Sequence, residues 1–303
     1  MKVNTGAIIK KLRLDAGLTQ VEMAEMLFVD TRQISRFESG DFKMDVWQLM
    51  SMLQIFGQPS DDFWLFFLDS EDYNGYRAYR KLKSDLRNEN YDEATKSLEL
   101  LEKSSVSTKR FVRQIVSWAK IYLDKELTNE EALVQLYEVL KVSKPEFDEE
   151  KLSDYRLNYQ EMRILLHISV CYSAIGDKER AIYIAEALIE SREKSRTSEE
   201  DRAVFFPVLF SNLSNHYGQI GELKKSMEVC RRGLEISREY NNFRFVPKLL
   251  LNLASCLCLL GEEEQIYKPH VVRAYHCAYA MGLTKVAKDI KRDAEEHFGI
   301  TDL

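Results

Sequence analysis

Residues 168–190 read ISVCYSAIGDKERAIYIAEALIE, and the same plan recurs in LSNHYGQIGELKKSMEVCRRGLE from Leu213 and LASCLCLLGEEEQIY from Leu253. In each stretch Tyr172, Tyr217 or Leu257 stands four residues before Gly176, Gly221 or Gly261, and a second amphipathic segment follows the glycine. Apolar residues at i, i+3, i+4 and i+7 predict two helices joined at a tight turn. Two earlier segments fit less closely, LRNENYDEATKSLELLEK from Leu86 and WAKIYLDKELTNEEALVQLYEVL from Trp118. Aligning Ala94, Ala132, Ala181 and Ser226 gives long, unequal steps of 38, 49 and 45 residues. A helix pair of this kind cannot bury its apolar face alone. Successive pairs therefore stack, and the expected product is a right-handed superhelix with a concave groove.

The rest of the chain keeps the same period. With 12 Gly and 5 Pro in 303 residues, and no alternating runs joined by a hairpin turn, the expected fold is all-α. Residues 284–298 place Val286, Ala287, Ile290, Ala294 and Phe298 on one stripe and charges elsewhere, as expected of a C-terminal capping helix. Lys and Arg number 43 against 49 Asp and Glu, so a net charge of -6 excludes a protein that coats nucleic acid or anionic membrane by bulk charge. Any DNA contact must be local. The longest apolar run, LLLNLASCLCLL from Leu249 to Leu260, is well short of the ~20 residues that span a bilayer, and no basic start precedes an apolar N-terminal segment; a cytoplasmic location with no membrane partner is expected. The five cysteines, Cys171, Cys230, Cys256, Cys258 and Cys277, show no C-x-x-C or Cys/His zinc spacing and read as free thiols on helices.

The N-terminal part has shorter periods. Helices are expected over residues 6–16, 20–27, 31–38 and 46–56, with Thr19 and Glu22 as a capping box and Asp30 and Asp45 as N-caps. In DTRQISRFESG, residues 30–40, Ile34 and Phe37 recur with Val29 on one side and face Ala24, leaving Thr31, Arg32, Gln33, Ser35 and Arg36 on the other faces. Such side chains suit a helix in the major groove, since Arg bonds guanine O6/N7 and Gln bonds adenine N6/N7 in bidentate fashion. Gln33 has a second reading, because three residues after Asp30 it can fold back as a capping-box partner.

The whole segment GAIIKKLRLDAGLTQVEMAEMLFVDTRQISRFESG resembles the helix-turn-helix of the Xre/phage-repressor family, matching its Leu-Arg, Gly-Leu-Thr-Gln, Ala, Val, Ile-Ser-Arg and Glu-x-Gly landmarks in order. The resemblance implies a five-helix-type DNA-binding domain over residues 1–58. It also implies a phosphate contact for Gln20 at the start of the second helix, and a structural ion pair between Arg13 and Glu38. Lys43 adds a candidate backbone charge, and Phe28 departs from the Gly usual in the turn. Residues 1–57 hold seven Lys/Arg and seven Asp/Glu. One such neutral copy binds DNA weakly, so a homodimer reading two half-sites about one helical turn apart is expected.

Between the modules, residues 59–77 (PSDDFWLFFLDSEDYNGYR) carry too much apolar surface for a free linker; a docked helix over 59–76, buried between modules or at a subunit contact, is expected, with repeats over 77–303. The repeats resemble tetratricopeptide repeats (TPRs) with longer helices, in about five pairs. A helix-turn-helix followed by such repeats resembles the Rgg/PlcR-type regulators of Gram-positive bacteria, the RRNPP family. That resemblance implies a cytoplasmic dimer that binds double-stranded promoter DNA and a short signalling peptide held in the concave groove.

Groove-facing positions recur every three to four residues on the first helix of each pair: Tyr159, Arg163, His167 and Val170; Val208, Asn212, Asn215 and Gln219; Lys248, Asn252 and Ser255. Carboxamides satisfy both polar groups of an extended peptide backbone, and Arg163 and Lys248 suit a carboxylate. Asn212 and Asn252 can equally bond a neighbouring helix, and Tyr159 and His167 can equally be packing residues. His167, His216, His270, His276 and His297 show no ligand spacing, and no phosphate-binding glycine loop occurs, so neither enzyme activity, cofactor nor metal is expected. The competing function is a DNA-bound adaptor whose repeats recruit another protein without sensing a peptide.

Overall fold

The computed structural model describes residues 5–27, 29–41, 52, 55–56, 70–191 and 198–303. Among these residues the structure is helical, with no strand. The chain forms two compact units, Met1–Leu123 and Asp124–Leu303. The expected helix over 46–56, with its Asp45 cap, lies largely outside the described residues, as do Phe28, Lys43 and most of the expected linker helix.

In the first unit α1 (Thr5–Asp15), α2 (Gln20–Met26) and α3 (Thr31–Ser39) surround a core of Ile8, Ile9, Leu12, Met23, Ala24, Ile34, Phe37 and Met52. Of the three predicted caps, those at Thr19 and Asp30 form. The Thr19 amide donates to Glu22 Oε2 at 2.7 Å, and the Glu22 amide donates to Thr19 Oγ1 at 3.2 Å. At α3 the Arg32 amide donates to Asp30 Oδ1 at 2.6 Å, and Gly40 closes the helix at φ 80°, a conformation that disfavours a side chain. Gly6 lets α1 approach the end of α3 closely: a Cβ there would lie 2.4 Å from the Phe37 carbonyl oxygen. After α3, α4 (Ser70–Arg87) packs on α5 (Tyr91–Glu102), and α6 (Arg110–Leu123) follows a 3-10 turn at Ser105–Thr108. Tyr76 of α4 packs on the α1–α3 core, and Lys11 Nζ donates to Asn74 Oδ1 at 2.5 Å, so the described start of α4 is docked.

The second unit contains α7 (Asn129–Lys141), a 3-10 segment (Glu149–Asp154) and the pairs α8/α9 (Tyr159–Ala174, Lys178–Glu190), α10/α11 (Glu199–Gln219, Leu223–Glu239) and α12/α13 (Val246–Leu259, Glu264–Ala280), ending in α14 (Thr284–Phe298). Gly176, Gly221 and Gly261 turn each pair at φ 96°, 79° and 79°. Small residues sit where paired helices cross. Ser169 Oγ donates to the Ala181 carbonyl at 2.8 Å, and one repeat later Ser226 Oγ donates to the Ser214 carbonyl at 2.7 Å. Ala181 and Ser226, aligned from sequence, are both buried, and a longer side chain would separate the helices. Helix α14 buries Ala287, Ile290 and Ala294 against α12 and α13, with Val286 and Phe298 at the edge of the same cluster. All five cysteines are free; burial pushes the Cys230 thiol up to about 12.

Candidate nucleic-acid interface and repeat groove

Helix α3 is held by its inner face and caps. Ile34 and Phe37 are buried, Arg32, Ser35 and Arg36 are exposed, and Thr31 and Gln33 are half-buried in the first turn. The Gln33 carboxamide folds back: its Oε1 accepts the Asp30 amide at 3.3 Å, completing a capping box. Of the two readings of this residue, the structure holds it in the capping one, with the amide NH2 still on the side chain for a second bond.

Under α3 lies a charge network. Glu38 accepts from Arg13 Nε at 2.6 Å, Arg13 Nη2 at 3.1 Å and Gln20 Nε2 at 2.8 Å, while Arg13 Nη1 donates to the Leu18 carbonyl at 2.6 Å. The Arg13 and Glu38 side chains are only 8% and 4% exposed, so the pair ties α1, the following turn and α3 together. Burial alone would push the Glu38 carboxyl up; the hydrogen bonds from Arg13 and Gln20 outweigh it and hold the carboxyl below its ordinary range. Gln20, assigned to phosphate by resemblance, stands at the first position of α2 as expected but uses an N–H inside this network. Nothing in the spacing predicts that bond, because Gln20 and Glu38 are 18 residues apart. Lys43 lies outside the described residues.

In the second unit, α8, α10 and α12 lie side by side. Tyr159 meets Phe205 of α10 edge-on with ring centroids 6.4 Å apart, and the Arg163 guanidinium stands 5.5 Å over the Tyr159 ring. His167 is half-buried, and desolvation pushes its imidazole down to about 4, so it is neutral near pH 7. Val170 and Asn215 are exposed and Val208 is half-buried. Asn212 is half-buried with no hydrogen-bond partner among the described residues. Asn252, its repeat equivalent, differs: its Nδ2 donates to Ser214 Oγ at 2.8 Å and lies 3.4 Å from the Ser211 carbonyl, which is the neighbouring-helix reading. Gln219 is exposed, with Oε1 3.4 Å from Ser173 Oγ of α8. Lys248 is exposed, its ammonium 5.9 Å over the Phe245 ring, and Ser255 bonds back to the Leu251 carbonyl at 3.0 Å.

Arg163 and Lys248 are not brought together; α10 stands between their helices. Helix α12 carries no carboxylate, whereas α10 opens with Glu199, Glu200 and Asp201; Glu161 of α8 is buried 3.7 Å from Lys144. Sequence reasoning missed the polar seam between α8, α10 and α12, which contains Ser169, Ser173, Ser211, Ser214 and His216. His216 Nε2 is 3.5 Å from Ser169 Oγ, and burial, with the nearby Lys178 charge, pushes its imidazole down to about 4. The available signal was small hydroxyls recurring on the inner faces of successive first helices. Among the described residues no group of His, Cys, Asp and Glu is arranged to hold a metal, and no helix is long and apolar enough to cross a membrane.

The fold defines a class: a helix-turn-helix headpiece and TPR-like helix pairs in one chain. No family model and no curated protein matches the sequence. Solved structures do. The chain is similar to PlcR of Bacillus thuringiensis, solved with the peptide PapR7 and DNA, at 20% identity and a TM-score of 0.65, covering 95% of this chain and 99% of that one. It is similar to the SHP pheromone receptor Rgg2 of Streptococcus dysgalactiae at 14% identity and a TM-score of 0.52, covering 96% and 99%. For the competence regulator ComR of Streptococcus vestibularis, in complex with its signaling peptide XIP, the values are 12% and 0.57, covering 97% and 98%. The resemblance to Rgg/PlcR-type regulators read from the sequence therefore holds at the level of the fold.

Proposed function

We propose that this protein is a transcription regulator that binds promoter DNA as a homodimer through α3 and is controlled by a short peptide lying across α8, α10 and α12. The observation that carries the reading is the combination, in one chain, of a capped, solvent-facing α3 with a repeat face on which the Asn212 carboxamide has no hydrogen-bond partner among the described residues. The fold likeness to a PlcR chain solved with both a peptide and DNA supports it. Arg32, Ser35 and Arg36, with Thr31 at the start of the helix, would contact DNA, while Gln20 and Gln33 contribute whatever their internal bonds leave available. On the repeat face, Asn212 and Asn215 would pair with peptide backbone, and Arg163 or Lys248 would take a carboxylate. Tyr159, His167 and Gln219 would border the peptide, whereas Asn252 would chiefly hold α12 to α10.

Peptide action requires different affinities for two arrangements of the dimer. Calorimetry with synthetic peptides encoded beside the gene, and with fractionated culture peptides, tests the reading; DNA binding is then measured with and without the peptide that binds. Absence of any binding tighter than high micromolar would refute peptide control and leave the adaptor function.

A further inference from the structure

A cavity of about 640 Å³ opens on the opposite side of α10 from the proposed peptide face. It is a crevice between α9 and α11, floored by Phe210, Leu213 and Tyr217 of α10. These floor residues lie about half a turn from Val208, Asn212, Asn215 and Gln219, so the two faces of α10 are distinct. The walls run from Glu179 to Glu190 on α9 and from Glu222 to Arg232 at the start of and along α11. At about 1.5 Å per residue, each wall is about 15 Å long, or three helical turns. That is a trough and not a pit.

Its lining is mainly acidic. Five carboxylates line it against two cations, Lys225 and Arg232. Tyr217 Oη donates to Glu186, and Glu222 is 3.7 Å from Lys225; Glu179, Glu190 and Glu228 have no ion-pair partner among the described residues. The two cations stand over the aromatic floor, Lys225 at 5.5 Å from the Tyr217 ring and Arg232 at 5.6 Å from the Phe210 ring. The rings thus already take the contact that an incoming basic side chain would make. The floor itself is buried, Phe210, Leu213 and Tyr217 being 1%, 2% and 6% exposed, so the apolar surface open to a ligand is the half-buried Ile189 and Val229 and the exposed Ile220.

We propose that this crevice is a docking site for a basic, amphipathic segment of a partner protein, about three helical turns long, with an apolar stripe on Ile189, Val229 and Ile220 and lysines or arginines against Glu179, Glu190 and Glu228. Charge complementarity selects this occupant: an acidic peptide suited to Arg163 and Lys248 is repelled here, and a neutral apolar segment leaves three carboxylates without counter-charges. The site is separate from the peptide face, so a regulator could hold a signal on one side of α10 and a partner on the other.

The test uses the full chain and a fluorescent helical probe of about 14 residues, with leucines on one stripe and lysines elsewhere, followed by anisotropy; the same design with glutamate for lysine is the counter-probe. The lysine probe should bind and the glutamate probe should not. Glu190→Lys with Glu228→Lys should weaken lysine-probe binding about tenfold or more, and Ile220→Ser should weaken it with no change in net charge. Glu295→Lys with Glu296→Lys makes the same change of net charge on the exposed face of α14 and should alter affinity less than about twofold. Equal losses in both reversals would reduce the binding to bulk charge and overturn the proposal, as would unchanged affinity in the crevice variants. Should the crevice reversal instead shift the oligomeric state in sedimentation velocity while probe affinity holds, the trough is a face between copies of this chain, and the proposal falls.

Discussion

Replacing Glu38 by alanine should loosen the headpiece far more than an exposed charge removal. The carboxylate accepts three hydrogen bonds, two from Arg13 and one from Gln20, in a pair 8% and 4% exposed. Breaking a buried pair by removing one partner costs about 3–5 kcal/mol, because the remaining charge stays buried. Arg13 keeps its 2.6 Å bond to the Leu18 carbonyl, which places the expected cost at the lower end, about 3 kcal/mol, or roughly a hundredfold in the opening equilibrium. Hydrogen exchange of peptides from α1 and α3 measures that opening directly. Arg13→Met with Glu38→Leu should recover to within about 1 kcal/mol of the parent, since no charge is then left alone. The carboxyl also sets a pH dependence. Its folded value lies below the ordinary 4.5, so its stabilisation is present above 4.5 and is lost as pH falls through the lower folded value. Glu38→Gln should remove that acid-driven loss. An opening equilibrium that rises less than about fivefold in Glu38→Ala would refute the reasoning.

The two arginines of α3 give a second expectation: Arg32→Ala and Arg36→Ala should each cost about 1–3 kcal/mol on the preferred promoter sequence, and losses equal on all DNA sequences would reassign them to phosphate contact. Asn212 and Asn252 should separate by assay. Asn252→Ala should lower stability in urea unfolding by about 1 kcal/mol through its lost bond to Ser214, whereas Asn212→Ala should leave stability nearly unchanged and weaken peptide binding in calorimetry. His216, held at about 4 in the fold against an ordinary 6.5, should destabilise the second unit as pH falls from 6.5 towards 4, because the unfolded chain takes up the proton first. The full effect is bounded at about 3 kcal/mol, and His216→Asn should flatten the stability profile across that window. Ala181→Leu should cost about 1–3 kcal/mol by forcing apart the α8/α9 crossing, read as a lower midpoint in the same urea titration.

Local signals carried much of the architecture. The spacing of Tyr172 to Gly176 and its repeats located the helix pairs, and Thr19 with Glu22 and Asp30 with Gly40 located α2 and the ends of α3, since capping and left-handed turns are made by residues a few positions apart. The alignment gave Ala181 and Ser226 one repeat position, and the structure adds that both lie where paired helices cross. The side chains of the sites were less legible. Gln20 and Gln33 each have a polar partner inside the headpiece, and no period reveals how much of an amide is left for DNA.

The repeat face shows the limit most clearly. Asn212 and Asn252 occupy one repeat position, yet only Asn252 meets Ser214 across a helix boundary, 38 residues away. The crevice behind α10 was not foreseen at all, because its carboxylates come from two helices that flank a third. By itself the sequence determined which segments are helical, where they turn and which stripe of each is apolar, as these depend on neighbours within one or two turns. Only the tertiary structure decided which polar groups remain available and which charges face one another, because both depend on how separate helices are packed.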